Sequence, residues 1–177
     1  MSAKKQMNLV QECSFIAGLK PPLPIGEGPI GTRIYYDVTG GEFTGERLRG
    51  KILGGGEWAL MGPDGYLRVD VRLQIETHDG AFIYLQYVGL LDVNETVQNA
   101  LASGGEKDFG DQYFYTNPRF ETGDERYAWL NTTFFVGEGS IAPGAGAEYR
   151  LYRPARARRY CRTGRGPGAN MCGCRRR

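Results

Sequence analysis

From Tyr66 to Thr77 the chain alternates without a break. Leu67, Val69, Val71, Leu73 and Ile75 fall on one face; Tyr66, Arg68, Asp70, Arg72, Gln74 and Glu76 fall on the other. A period of two is that of a β-strand, because successive side chains on a strand point to opposite faces. His78-Asp79-Gly80 then supplies a tight-turn signal, and Ala81 to Leu91 returns as a second run, so the pair reads as a β-hairpin. The second run is apolar on both faces, with Phe82, Tyr84 and Val88 against Ile83, Leu85 and Tyr87. That predicts a strand covered on both sides.

The same pattern recurs along the chain. Residues 8–19, Arg33 to Val38, Arg47 to Leu53, Glu57 to Met61, Tyr113 to Phe120, Trp129 to Val136 and Glu148 to Tyr152 read as strands. The clusters Thr39-Gly40-Gly41 and Gly54-Gly55-Gly56 and the Pro63-Asp64-Gly65 turn punctuate them, as glycine-rich turns do. Pro21 to Gly31 carries too much proline and glycine to be regular structure. Val93 to Ala102 is the one helical stretch, ended by Ser103-Gly104-Gly105. Eight to ten strands at hairpin spacing with almost no helix predict an all-β fold, a sandwich or a closed antiparallel barrel. The barrel is preferred because closure removes unpaired edges, and a barrel of this strand number can hold one small ligand.

Charge divides the chain. Residues 153–177 hold nine Arg and no acid, which leaves residues 1–152 with 13 basic and 20 acidic side chains, a net −7. The expected organisation is a barrel domain over 1–152 and a basic, unfolded tail over 153–177. Such a tail could contact phosphates, but it has one aromatic, Tyr160, and the acidic body opposes a nucleic-acid role. No run approaches the eighteen apolar residues of a membrane helix, and the N-terminus has no secretory hydrophobic region, so the expectation is a cytoplasmic protein without a membrane partner.

The segment from Tyr113 to Asn131 packs Tyr113, Phe114, Tyr115, Phe120, Tyr127 and Trp129 beside Arg119, Glu121 and Asn131. Rings with a few polar tips are what a small-molecule pocket needs, and equally what a barrel core with hydrogen-bonded phenols contains. Tyr113, Tyr115, Trp129 and Asn131, with Tyr84, Trp58 and Glu121, are the candidate ligand-binding residues. Asp70 and Arg72 share a strand face. Facing the lumen they would be a buried pair, with Asp70 a candidate base; facing outward they would be surface charges, which periodicity favours. Arg119 can hold a carboxylate or enolate oxygen, or pair with Glu121 or a neighbouring strand.

Other motifs exclude more than they suggest. His78 is the only histidine, which rules out a multi-His metal site. Cys13, Cys161, Cys172 and Cys174 lack zinc-ligand spacing. Gly26-Glu-Gly-Pro-Ile-Gly31 spells the dinucleotide fingerprint, but no strand feeds a helix there and Pro29 breaks the helix start. No metal or cofactor is therefore expected.

Several of these residues stand in a familiar order. Gly31-Thr-Arg33, Val38-Thr-Gly-Gly41, Phe43-Thr-Gly45, Leu48-Arg-Gly50, Gly54-Gly-Gly-Glu-Trp58, Asp64-Gly65, Asp70-Val-Arg72 and Asp79-Gly80 resemble the DUF3237 family, also called UPF0311. Pro118-Arg-Phe-Glu-Thr122 through Tyr127-Ala-Trp-Leu-Asn131, after Tyr113-Phe114, resembles its second hallmark. The resemblance spans residues 8–152 and implies a calycin-like, lipocalin-shaped antiparallel barrel. It implies little about activity, and it weighs towards a lumenal Asp70 and Arg72. Glu57 stands where the family pattern has Asp, and Tyr115 where it often has Arg; if both line the cavity, the ligand is less anionic than a relative's.

The function these features suggest is proton-transfer chemistry, an isomerisation or cyclisation, on a small aromatic or polyketide-like molecule. Asp70 or Glu57 would be the base, and Arg72 or Arg119 would stabilise an enolate. The alternative is a non-catalytic carrier or sensor of a similar ligand. The partners expected are a small organic ligand and, as an open alternative to a monomer, a second copy of the chain in a homodimer.

Overall fold

The computed structural model describes residues 7–143 and 146–156. Nine strands form one antiparallel sheet: β1 (Met7–Leu19), β2 (Leu23–Gly28), β3 (Gly31–Gly45), β4 (Gly50–Met61), β5 (Tyr66–Thr77), β6 (Phe82–Asp92), β7 (Phe114–Glu121), β8 (Val136–Ala142) and β9 (Gly146–Arg156). The sheet runs β1-β9-β8-β7-β6-β5-β4-β3-β2, and β1 also pairs with β3. Eight strands thereby close a barrel, and β2 hangs from its seam as an extra strand. A short helix, α1 (Glu95–Ser103), follows β6, and a 3-10 helix (Glu125–Thr132) follows β7. Among the described residues, no helix is long and apolar enough to cross a membrane. The expected closed antiparallel barrel with one short α-helix is what the chain forms.

β5 fixes which face is inside. Val69, Val71, Leu73 and Ile75 are buried in the barrel core, so Asp70, Arg72, Gln74 and Glu76 face outward. The core continues across β1, β6, β7 and β9 through Phe15, Leu85, Phe120, Tyr149 and Leu151. α1 is capped by Asn94, whose side chain accepts from the Val97 N–H, and it ends at Gly104 in the left-handed region, the usual polar-start, glycine-stop arrangement.

Several boundaries differ from the sequence reading. The two glycine clusters are not turns: β3 runs straight through Gly40-Gly41, and β4 through Gly54-Gly55-Gly56. Two of these residues instead sit where a neighbouring backbone leaves no room for a side chain. Gly41 has φ +155°, and a Cβ there would collide with the Ile16 carbonyl oxygen; Gly55, at φ +153°, would collide likewise with that of Arg72. Only glycine tolerates this approach.

The Pro21–Gly31 segment contains β2. Its Leu23 pairs with Tyr35 and its Pro24 with Ile34, and proline is admitted because β2 is an edge strand with its far side unpaired. The predicted strand from Trp129 to Val136 is instead the end of the 3-10 helix, a short connection and the first residue of β8. The outer face of β6 is not covered: Phe82, Val88 and Leu90 are exposed. β9 continues to Arg156, paired with Met7, four residues past the predicted end of the barrel. Residues 157–177, which hold most of the basic tail and Cys161, Cys172 and Cys174, lie outside the described residues.

The barrel's two ends are unlike. At one end the 3-10 helix folds across as a plug, burying Tyr127 and Leu130 with Phe135 next to them in the core. Asp79 anchors it, accepting from the Tyr127 hydroxyl at 2.9 Å, the Arg126 guanidinium at 2.9 Å and the Thr77 hydroxyl at 2.6 Å. At the other end, Leu19, Met61, Leu67 and Ala147 are only partly buried. α1 starts at this end and buries Val97 and Ala100.

Candidate functional site

The barrel is not an open lumen. Phe15 stacks on Tyr149 at 4.8 Å between ring centroids, Tyr149 meets Tyr87 at 5.2 Å and Phe114 at 5.4 Å. This aromatic box crosses the middle of the barrel. Between it and the plug, the space among Phe15, Phe43, Leu48, Ile75, Phe120 and Leu151 amounts to about 10 Å³, about the volume a single water needs. A ligand inside the barrel would have to lie on the other side of the box, toward the partly open end.

That side holds the polar group that most needs explaining. Tyr36 pairs with Glu57, Glu57 with Val71, and Val71 with Tyr87, one inward-facing row across four strands. Glu57 is 8% exposed. No described side chain hydrogen-bonds or ion-pairs with it. Burial alone pushes its carboxyl up to about 7, because a charged oxygen loses its hydration without a compensating partner. Tyr36, Tyr87 and Tyr149 surround it. All three phenols are raised, first by burial; the Glu57 charge adds to each. Tyr36 is half-buried, the most accessible of the three. A carboxyl poised near neutrality beside hydroxyls is chemically able to take up and return a proton.

Most other predicted site residues lie on the opposite side of the wall. Trp58, the next residue after Glu57, faces outward, as do Asp70, Arg72, Tyr84, Tyr115, Arg119 and Glu121, by the alternation of β4 to β7. Asp70 and Arg72 are not a lumenal pair. They form a surface ion pair at 3.0 Å with both side chains over a third exposed, and the apolar half of β5 takes the core because burying charge without compensation is costly. The lumenal placement that the resemblance weighed towards is thus overturned, and with it Asp70 as a buried base.

Four predicted residues do meet in one place, on the outside. Trp58, Asp70, Tyr113 and Tyr115 line an open cleft of about 590 Å³ with Arg33, Arg68 and Asn117, floored by Leu60, Val88 and Leu90. Arg72 lies over the Trp58 ring at 5.2 Å, and Tyr113 meets Tyr115 edge-on at 5.0 Å. Tyr84, Glu121 and Asn131 border a separate shallow depression. Asn131 is a structural clasp: its amide accepts from Thr122 N–H and donates to Thr122 C=O, each at 2.9 Å. Trp129 belongs to the plug, 6.3 Å from Phe135 and under the Arg47 guanidinium at 3.9 Å.

Sequence reasoning missed Tyr36, Tyr87 and Tyr149 as companions of Glu57. The signal was present for Tyr87, whose inward face follows from its alternation with Leu85 and Ile83, but the both-faces-apolar pattern of β6 hid it. It also missed Glu12, Arg47 and Arg153, because Glu12 sits in a strand irregularity that no periodicity announces.

The sequence and the fold have relatives. A UPF0311 protein of Clostridium acetobutylicum is 33% identical over 141 residues, 78% of this chain and 89% of its own. The crystal structure of a beta-barrel like protein from Acinetobacter baumannii superimposes with a TM-score of 0.72 at 30% identity, covering 88% of this chain and all of that one. That of an enzyme from Penicillium herquei superimposes with a TM-score of 0.63 at 22% identity, covering 88% and 99%; at that identity the likeness is one of fold. The family model described as "Protein of unknown function (DUF3237)" matches residues 8–154, and the chain belongs to that family.

Proposed function

We propose that this protein binds a small, largely apolar organic molecule at the partly open end of the barrel and moves a proton on it. The reaction would be a cofactor-independent isomerisation or cyclisation of an aromatic or polyketide-like compound. Glu57 is the base, and Tyr36, the most accessible of the neighbouring phenols, donates to the oxygen on which charge develops. Tyr87 and Tyr149 form the floor.

One observation carries this reading: Glu57 is an unpaired, buried carboxyl held near pH 7 among three tyrosines. Burying a carboxyl that no described side chain pairs with costs stability, and a proton-transfer role would account for that cost. Asp70, already neutralised by Arg72 on the outer wall, has no comparable reason to act as a base. The Penicillium herquei protein of the same fold is an enzyme, which agrees with a catalytic barrel and identifies no reaction here.

The carrier reading draws on a different observation. No described side chain orients the Glu57 carboxyl through a hydrogen bond, whereas bases are commonly held by a third group. The two readings separate by proton exchange. An enolisable aromatic ketone such as 2-tetralone, incubated with the protein in D2O and followed by NMR, exchanges its α-protons faster than in buffer if the barrel catalyses proton transfer. Glu57→Gln should remove at least 100-fold of that acceleration, within the range typical of general acid–base groups, while Asp70→Asn stays within a few-fold of wild type. Binding of the ketone with no accelerated exchange supports a carrier. Equal loss in both variants removes Glu57 from its assigned role.

A further inference from the structure

A second site is built at the plugged end, and it starts from a strand irregularity. β1 pairs Gln11 with Tyr152 but Cys13 with Leu151, so Glu12 is an extra residue in β1. Such bulges re-aim a side chain. Here both Glu12 and Cys13 are buried. The Glu12 carboxylate accepts from Arg47 through Nε at 2.8 Å and Nη2 at 2.7 Å, and from Arg153 through Nε at 2.7 Å. Burial pushes its pKa up, but the hydrogen bonds and charges of Arg47 and Arg153 outweigh this and hold it below the ordinary value. Two guanidiniums are therefore fixed by one carboxylate; Glu46 also acts on Arg47 through its charge, but among the described residues only Glu12 is in contact with either guanidinium.

The same two guanidiniums face an aromatic depression. Arg47 and Arg153 line a space of about 410 Å³ with Trp129, Thr132, Thr133, Phe134 and Pro154. Among the described residues, no acidic side chain is in its wall, although residues 1–152 are acidic as a whole. Arg47 already covers one face of Trp129. Phe134 is 62% exposed beside it, an apolar ring left in water next to two cations. Among the described residues, Arg153 reaches Glu12 through Nε alone, leaving both of its Nη groups for another acceptor.

We infer that this depression binds a planar aromatic monocarboxylate, its carboxylate held by Arg47 and Arg153 and its ring against Phe134 and Trp129. Such an anion meets two guanidiniums that share a single contacting carboxylate, and guanidinium forks match carboxylate geometry. The site lies at the opposite end of the barrel from Glu57 and does not depend on the chemistry assigned there.

Trp129 makes the test direct. The chain has two tryptophans, so full-length protein carrying Trp58→Phe reports from Trp129 alone. Sodium benzoate, titrated at constant ionic strength, should change its fluorescence saturably, and neutral benzamide should not. Arg153→Ala should weaken benzoate at least 10-fold. Phe134→Ala, on the surface and harmless to folding, should weaken it several-fold. The inference is overturned if benzoate gives no saturable response, if benzamide matches it, or if both variants bind within twofold of the parent.

Discussion

Glu57 and Trp58 are neighbours in the chain and face opposite sides of the barrel wall, one toward the interior phenols and the other toward the Arg72 guanidinium. A single site using both side chains on one ligand is therefore excluded by the pleat itself. The acid and the indole that a sequence motif sets side by side serve separate surfaces.

The buried position of Glu57 makes stability depend on pH in an unusual direction. Its carboxyl titrates at about 7 when folded against an ordinary 4.5, so between these values the folded chain keeps a proton that the unfolded chain has released. Stability contributed by the protonated acid is full below pH 4.5, falls as pH rises, and is lost above 7, a change of about 3 kcal/mol. Tyr36, Tyr87 and Tyr149, the other titratable groups facing it, are raised and stay protonated through that range. Glu57→Gln should raise the Tm at pH 8 by roughly 5–10 °C and leave it nearly unchanged at pH 4.5. A variant that melts lower at pH 8 than wild type would contradict this.

Glu12 works in the opposite sense. Its pKa is lowered, so the Arg47 and Arg153 contacts stabilise the fold above the ordinary carboxylate range and are lost as pH falls through the lowered value. Removing the two sides should not cost the same. Glu12→Gln leaves two half-exposed guanidiniums that water can solvate, a loss of about 1 kcal/mol. Arg47→Ala with Arg153→Ala leaves a buried carboxylate unpaired, a loss of about 3 kcal/mol or more. Urea denaturation of the two variants at pH 7 checks the order.

How much of this could be read in the sequence depended on whether one local rule governed a segment. β5 obeys only the pleat, so its limits and its buried face follow from the letters Leu67 to Ile75. β3 and β4 obey a second requirement, close approach of neighbouring backbones at Gly41 and Gly55, and glycine serves that need as readily as it serves a turn. β6 reads as doubly buried because Val88 and Leu90 are apolar, yet nothing covers them among the described residues. For the site, Glu57 could be named, but its phenolic neighbours come from β3, β6 and β9, and only the register across those strands brings them together.

Asn131 was a candidate ligand contact and is a clasp on Thr122. Asn131→Ala should cost about 1–2 kcal/mol by leaving the Thr122 groups unpartnered, speed amide exchange in the 3-10 helix, and leave the proton-exchange rate of 2-tetralone within twofold. A large fall in that rate with unchanged stability would return Asn131 to the binding site.

Gly41→Ala tests the seam where β1 meets β3. The new Cβ would collide with the Ile16 carbonyl oxygen at a positive φ, so the strands must part, and a Tm loss of more than about 8 °C is expected. Gly123→Ala meets nothing within 4 Å and should leave the Tm within about 1 °C. Differential scanning calorimetry on the pair separates a close backbone approach that demands glycine from a loop that merely contains one.

The aromatic box of Phe15, Tyr87, Phe114 and Tyr149 has a consequence for traffic. With one end stoppered by the 3-10 helix and the middle crossed by four rings, the barrel is not a pipe open from end to end. A ligand bound beside Glu57, as proposed, would have to leave past Leu19, Met61 and Leu67, the rim it crossed on the way in. Substrate and product would therefore compete for one doorway, and accumulated product should act as a competitive inhibitor.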